Sequence, residues 1–398
     1  MSSSPRKFQE HEVVSPAHRF VWHATGFAQL EAMLAAIRSA QRSIRLEIYI
    51  FNDTEIGRKF IEALAQAAAR GVRVWVLIDA VGSLGLRRDL FAEMLAAGGE
   101  LRWFNSYRPA SYFFRNHRKM LTVDGTDAYV TGCNISTEYH GDGVEQGWMD
   151  AGVMVTGPVA AVLTEEFDLQ WLRASPTEGR LMKRTKMGPV SCGTEGEVIA
   201  LFMKPGFGRN PFRAALRVDL KRAKEVDIIA AYFLPSQRLR RHLMGAARRG
   251  ANVRLLLAGK SDVHLMQLAS RSLYRRLIRG GVKIHEYQPQ VLHAKVIVLD
   301  DIVYVGSSNL DPRSLHINFE VMLRIRNHAL AAQVRQRFDE DVAQRATLVT
   351  IESLKRGRGW WKRLKQRLAF WLLARFDSEL AVRKLRAWRQ RREARKKS

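Results

Sequence analysis

Two cysteines in 398 residues give no disulfide framework to read: Cys133 and Cys192 lie far apart, and neither has zinc-site spacing. That scarcity fits a reducing compartment. Long apolar runs are missing too. Met1 to Lys7 are polar and include Pro5, so they lack the apolar centre of a signal peptide. No later stretch approaches the ~18 continuous apolar residues of a spanning helix. A chain that does not cross the bilayer is expected. Acidic residues are few, 39 against 65 Lys and Arg, which leaves a formal charge of +26. Such an imbalance points to an anionic partner, either nucleic acid or an anionic membrane surface. The 46% hydrophobic content is enough for real cores, and the length allows two ordinary domains.

What is present occurs twice. An H-x-K-x-x-x-x-D string appears as His117, Lys119 and Asp124, and again as His293, Lys295 and Asp300. Each copy runs through an apolar segment to a cluster of small residues ending in Asn. In one copy this is Thr131, Gly132, Cys133, Asn134; in the other it is Gly306, Ser307, Ser308, Asn309. Two strings with the same spacing and the same sequel indicate a duplicated catalytic unit.

Both segments read as β-hairpins, with Val, Ile, Leu and Tyr around an acidic turn. On a strand, residues i and i+2 share a face, so each copy presents an imidazole beside an ammonium. That pair suits a phosphate. A first hairpin turning at Gly125 and Thr126 sets Asn134 opposite His117, and a second centred on Asp301 pairs His293 with Asn309. Asn134 and Asn309 then become fixed donors to phosphate oxygens. Two such units facing each other meet the needs of double displacement at a phosphodiester. One His attacks and the other protonates the leaving alcohol; a second alcohol or water then releases the phosphohistidine. The scheme needs neither metal nor cofactor.

These residues resemble the phospholipase D superfamily. The run Asn309, Leu310, Asp311, Pro312, Arg313, Ser314, Leu315, continuing to Glu320, is similar to its bacterial cardiolipin synthase branch. The resemblance spans roughly residues 20 to 345, and its specific strings are N-H-R-K-M-L-T-V-D-G and S-S-N-L-D-P-R-S-L. One departure is visible: the family has paired glycines before the first Asn, where this chain has Thr131 and Gly132. The lack of amino-terminal spanning helices resembles the shorter, B-type class. A working His needs an acceptor on its second nitrogen. By resemblance that task falls to the later acids Asp150 and Glu320, which leaves Asp124 and Asp300, although part of the catalytic string, as mainly structural turn residues. The resemblance also makes His117 the nucleophile.

Around the strings the chain repeats on a larger scale. Phe27 to Ala40 reads as an amphipathic helix, Ile44 to Phe51 as a buried strand, Gly57 to Ala69 as a helix, and Val72 to Ile78 as a strand. The echo is helix 212–223, strand 226–233, helix 239–248 and strand 253–257. Gly71 precedes His117 by 46 residues and Gly250 precedes His293 by 43, so the whole unit is duplicated. The expected fold is α/β: two pseudo-symmetric phospholipase D-like repeats, each a mixed β-sheet flanked by helices, about a pseudo-two-fold axis with the site between them. The boundaries are 1–175 for the first repeat with its extension, 176–197 for a linker or in part a lid, 198–348 for the second repeat, and 349–398 for a basic tail.

The tail from Lys355 to Ser398 holds 17 Lys and Arg against 3 acidic residues, +14 of the +26. Trp360, Trp361, Leu364, Leu368, Trp371 and Leu372 recur at helical spacing between basic residues, and Ser378 opens a second helix with Leu380, Leu385 and Trp388. This is the pattern of an interfacial helix on anionic lipid. It favours a membrane substrate over nucleic acid, since no signature of groove reading or base stacking appears elsewhere. The expectation is a phosphatidyltransferase making cardiolipin from phosphatidylglycerol or a related donor. It would lie peripherally on the cytoplasmic face of the bacterial inner membrane. Phospholipase D hydrolysis and nucleic-acid phosphodiester cleavage use the same histidines and stay open.

Overall fold

The computed structural model describes residues 12–105, 114–175, 190–192, 196–206, 210–355 and 360–373. They form two mixed sheets. The first has eight strands in the order Glu12–Val14, Arg19–His23, Gly152–Thr156, Asp127–Thr131, Met120–Val123, Ser43–Ile48, Arg73–Asp79, Glu100–Phe104. The second has nine, in the order Ala346–Leu348, Lys283–Tyr287, Asn252–Ala258, Glu225–Ala230, Lys295–Leu299, Ile302–Gly306, Glu320–Arg326, Val198–Met203, Val190–Cys192. In each, three parallel strands meet an antiparallel motif hairpin. The parallel strands alternate with helices, as the repeated periodicity predicts.

Helix Glu55–Ala69 shows how locally this architecture is specified. Thr54 caps it by accepting from the Gly57 amide, and its buried stripe runs through Ile56, Phe60, Ala63, Leu64 and Ala67. It stops at Gly71, whose φ of +86° is left-handed, and the Val72 amide turns back onto Ala67. Gly250, at φ +93°, ends helix Gln237–Arg248 the same way.

Three apolar cores result. One lies within each repeat, between its sheet and its outer helices. The third joins the repeats: Val130, Val153 and Phe167 from the first share it with Val296, Val305 and Phe338 from the second. Its helices, Pro158–Ala174 and His328–Arg345, each follow the strand that carries the later acid's segment.

Three features differ from the sequence reading. Residues 190–192 of the expected linker add an edge strand to the second sheet by pairing with 198–200. The motif hairpins are out of the expected register by one residue. Met120 pairs with Val130, not Thr131, and Val296 with Val305, not Gly306. The cause lies in the turns: Asp124 and Gly125 both take positive φ, as does Asp300, which makes a three-residue turn in one hairpin and a two-residue turn in the other. The tail helix Trp360–Trp371 lies against helix His264–Arg279, with Gln366 and Ala369 buried and Phe370 and Leu373 partly so. Leu368 and Trp371 face out, 53% and 49% exposed. The second expected tail helix, from Ser378, lies outside the described residues.

Candidate active site

Both motif histidines sit at the start of their hairpins, at the carboxyl ends of the parallel strands, where open α/β sheets hold ligands. The repeats dock there through backbone bonds that cross between them. The His117 amide donates to the Phe319 carbonyl at 3.0 Å, and the His293 amide to Met149 at 2.7 Å.

The side chains cross as well. His117 Nδ1 lies 3.0 Å from Glu320 Oε2 of the second repeat, and His293 Nδ1 lies 2.6 Å from Asp150 Oδ2 of the first. Each acid therefore serves the other repeat's histidine. With Nδ1 donating to a carboxylate, Nε2 is the nitrogen left for chemistry. Sequence reasoning picked the two acids without this exchange, because adjacency along the chain carries no sign of which half-site a strand will face.

Both lysines and His293 are buried, and His117 is largely so, its side chain 12% exposed. Lys119 Nζ donates to the His117 carbonyl at 2.9 Å and lies 5.0 Å from the Tyr49 ring centroid. Lys295 Nζ is 3.0 Å from His293 Nε2. Burial drives the charges here. It pushes His117 and His293 down to about 4, although Glu320 and Asp150 pull each the other way. It also pushes Lys119 down to about 7, and Lys295 downward. Burial acts upward on Asp150 and Glu320, but the cations around them outweigh it and hold both carboxyls below the usual range. The charge of Lys295 is felt at His117 and that of Lys119 at His293, so the two halves form one electrostatic unit.

The remaining predicted residues divide. Asn134 is buried, and its Oδ1 accepts from the Ile50 amide at 3.1 Å. Asn309 is also buried, in the wall beside Lys295. Neither asparagine is set opposite its histidine by ladder pairing: the hairpin ladders start at Met120 and Val296, beyond the histidines. Asp124 and Asp300 do not join the site. Asp124 accepts from the amides of Gln41, Arg42 and Ser43 at the hairpin turn, and Asp300 from those of Lys224 and Glu225. Each anchors its turn to the neighbouring strand, at the end of the hairpin away from the histidine.

Several site residues escaped the sequence reading. Tyr49 packs on His117 at 4.7 Å between ring centroids. Tyr139, Trp148 and Tyr232 surround His293 at 5.0, 5.5 and 6.4 Å. Ser307 and Asn318 donate to Glu320. Gly132 leaves room for the other acid, since a Cβ there would stand 2.2 Å from Asp150 Oδ1. Aromatic residues beside Phe51 and Phe233, where corresponding strands end, were the available signal.

Two repeats that exchange acids across a shared pair of histidines define a phospholipase D-like protein. Comparison with known proteins narrows the class. A family model described as "Cardiolipin synthase, PLD-like domain" matches residues 33–171 and 216–342. A Salmonella typhi protein named Cardiolipin synthase B is 35% identical over 357 residues, 87% of this chain and 86% of its own. Cardiolipin synthase A of Pseudomonas entomophila is 33% identical, over 82% of this chain and 69% of its own. The chain belongs to the cardiolipin synthase family of phospholipase D-like proteins. Among solved structures, phosphatidylserine synthase from Haemophilus influenzae Rd KW20 shares the fold, with a TM-score of 0.72 at 16% identity over 91% of this chain and 94% of that one.

Proposed function

We propose that this protein is a phosphatidyltransferase that makes cardiolipin from phosphatidylglycerol, or a related phospholipid donor, through a phosphohistidine. The observation that carries the reading is the exchange of Glu320 and Asp150 across the two repeats, which leaves two imidazole Nε2 atoms to work on one phosphorus. Membership of the cardiolipin synthase family supplies the substrate class.

In this scheme the Nε2 of His117 attacks phosphorus, the bond to the leaving alcohol oxygen breaks, and His293 gives that oxygen its proton. His293, now neutral, takes the proton of the incoming hydroxyl as its oxygen bonds to phosphorus and the N–P bond breaks. Lys119, Lys295, Asn134 and Asn309 hold the phosphate oxygens. Glu320 and Asp150 stabilise the imidazolium each faces. The same reading divides the chain into repeats at 1–175 and 198–348, a linker at 176–197 and a tail at 349–398. The strands of the first sheet all lie within 1–175 and those of the second, apart from 190–192, within 198–348, which supports it.

The tail is the membrane-binding part, holding the enzyme peripherally at the cytoplasmic face. Its +14 charge and its outward Leu368 and Trp371 support this role. No described helix is long and apolar enough to cross a membrane. Purified protein incubated with labelled phosphatidylglycerol vesicles and followed by mass spectrometry tests the function, with cardiolipin plus glycerol expected. Phosphatidate as the sole product would make it a hydrolase. Turnover of nucleic acid with untouched lipid would overturn the reading.

A further inference from the structure

We propose that Glu47 is a positioning residue of the first half-site: through Asn116 it fixes where the His117 imidazole points, a task that apolar packing performs at His293. The proposal rests on the histidine chemistry given above.

Residues 116–119 precede the hairpin ladder, which begins at Met120; besides the backbone bond from His117 to Phe319, side chains hold this segment. Asn116 is fully buried and bonded on three sides. Its amide N donates to Asp79 Oδ2 at 2.7 Å, its Nδ2 to Glu47 Oε1 at 2.7 Å, and its Oδ1 accepts from Gln170 Nε2 at 3.4 Å. On the far side of His117, the buried Arg118 guanidinium donates to Glu166 at 2.9 Å, and Arg173 closes on the same carboxylate. His117 is thus suspended between two polar anchors set in strands Ser43–Ile48 and Arg73–Asp79 and helix Pro158–Ala174. Between ionised partners, as at Arg118 and Glu166, such bonds are short and stronger than neutral ones.

The second repeat shows that the fold does not require them. Glu47 pairs with Met120, the residue after the motif lysine, and Ile229 pairs with Val296, the residue after the other. By the same register Asp79 corresponds to Ala258, while Asn116 and Arg118 correspond to Leu292 and Ala294. Where the first repeat buries carboxylates and a guanidinium, the second buries only apolar side chains, all within the shared core. Burial pushes the Glu47 carboxyl up to about 7 against the pull of Arg118. Keeping such a group is costly unless its bonds serve a purpose.

The test uses full-length protein and short-chain, water-soluble phosphatidylglycerol, so that vesicle binding plays no part. Glu47→Leu should lower kcat on the order of 10- to 100-fold with KM held within about twofold, because misplacement of a reacting group costs rate more than binding. Glu47→Gln keeps an oxygen for the Asn116 amide and should recover kcat to within about threefold of wild type. Asn116→Ala should lose as much as Glu47→Leu, and the double variant no more than either, as for residues acting in one line of contact. A residue that merely holds the fold would lower the melting temperature and leave kcat per folded molecule unchanged. That outcome, additive losses, or a Gln variant as slow as the Leu variant overturns the proposal. If Glu47→Leu does not fold, Asn116→Ala decides alone, and full kcat there refutes the idea. Wild type without turnover would overturn the reaction reading and this proposal with it, whereas a working wild type with an unimpaired Glu47→Leu sinks only the proposal.

Discussion

The segments that carry the two histidines have the same backbone task and opposite surroundings. His117 lies between Asn116 and Arg118, held by Glu47, Asp79, Glu166 and Gln170; His293 lies between Leu292 and Ala294, which share one apolar core with Ile229 and Ala258. In front of the histidines the halves are near-copies, each with a buried lysine and an acid from the other repeat. Duplication thus kept the face that carries histidine, lysine and acid and let the supporting face diverge. Polar anchoring and close packing both locate a side chain, but an anchor of buried charges titrates and a methyl-lined wall does not.

The strongest way to sharpen the comparison is to remove each histidine. His117→Ala and His293→Ala should each lower turnover by at least about 10⁴-fold, since members of one catalytic unit fail together. Label trapped from phosphorus-labelled donor should sit on His117. Label on His293 would reverse the roles of the two halves.

Next come the exchanged acids. Glu320→Gln and Asp150→Asn should each cost about 10²- to 10⁴-fold in kcat, as when a buried carboxylate that orients an imidazole is lost. Both carboxylates raise the pKa of their histidines, so each substitution lowers that pKa further. A nucleophile must be neutral, and lowering its pKa moves the acid limb of the rate profile to lower pH. A general acid must be protonated, and lowering its pKa moves the alkaline limb to lower pH. Glu320→Gln should therefore move chiefly the acid limb and Asp150→Asn chiefly the alkaline one, the limbs belonging to the pair. A bell that neither substitution moves would contradict the paired-histidine scheme.

This asymmetry was partly legible beforehand. The flanks read Asn116-His117-Arg118 and Leu292-His293-Ala294 in the sequence itself, and that contrast was the missed signal. Helices and strands were legible because their caps, glycines and apolar periods are local. Helix Glu55–Ala69 lies within two residues of its expected span. Register was not legible: it turned on whether Asp124 and Asp300 adopt left-handed backbone, which slides the hairpin pairing by one residue. Nor was the exchange of Asp150 and Glu320, which depends on how two repeats dock. The packing of Gln366 and Ala369 was hidden by the row of tryptophans in the same stretch, of which Trp371 faces out.

A smaller effect concerns stability at the polar anchor. The Glu47 carboxyl is raised from 4.5 to about 7 in the folded protein, which therefore holds this proton more tightly than the unfolded chain. Its favourable contribution is fully present below about pH 4.5 and is lost as pH rises through about 7. Glu47→Gln carries no such proton. Urea unfolding of both proteins at pH 5 and pH 8 should show wild type losing stability relative to the variant at the higher pH. An unchanged difference would mean that Glu47 is ionised throughout, and the contrast with Ile229 would lose its titrating side.

The smallest effect on chemistry is expected from the tail, and here the fold changes how the test should be made. Removing all of 355–398 would strip Gln366, Ala369 and Phe370 from helix His264–Arg279 and damage the second repeat's core, so weak binding by that truncation would be ambiguous. Deleting 374–398 instead takes 10 Lys and Arg and 3 acidic residues, a loss of +7, and leaves the packed helix in place. Each basic residue near an anionic surface is worth about 1 kcal/mol, so vesicle binding should weaken markedly and lose part of its salt dependence, the +7 of 355–373 remaining. Leu368→Ser with Trp371→Ser should reduce the salt-resistant remainder, since both apolar side chains are turned outward. Neither change touches the exchanged acids or the anchors of His117, and activity on short-chain phosphatidylglycerol should stay within about twofold of wild type. Sedimentation with phosphatidylglycerol vesicles at low and high salt reads both effects. If the truncated protein sediments as well as the intact one at every salt concentration, the tail does not hold the enzyme on lipid.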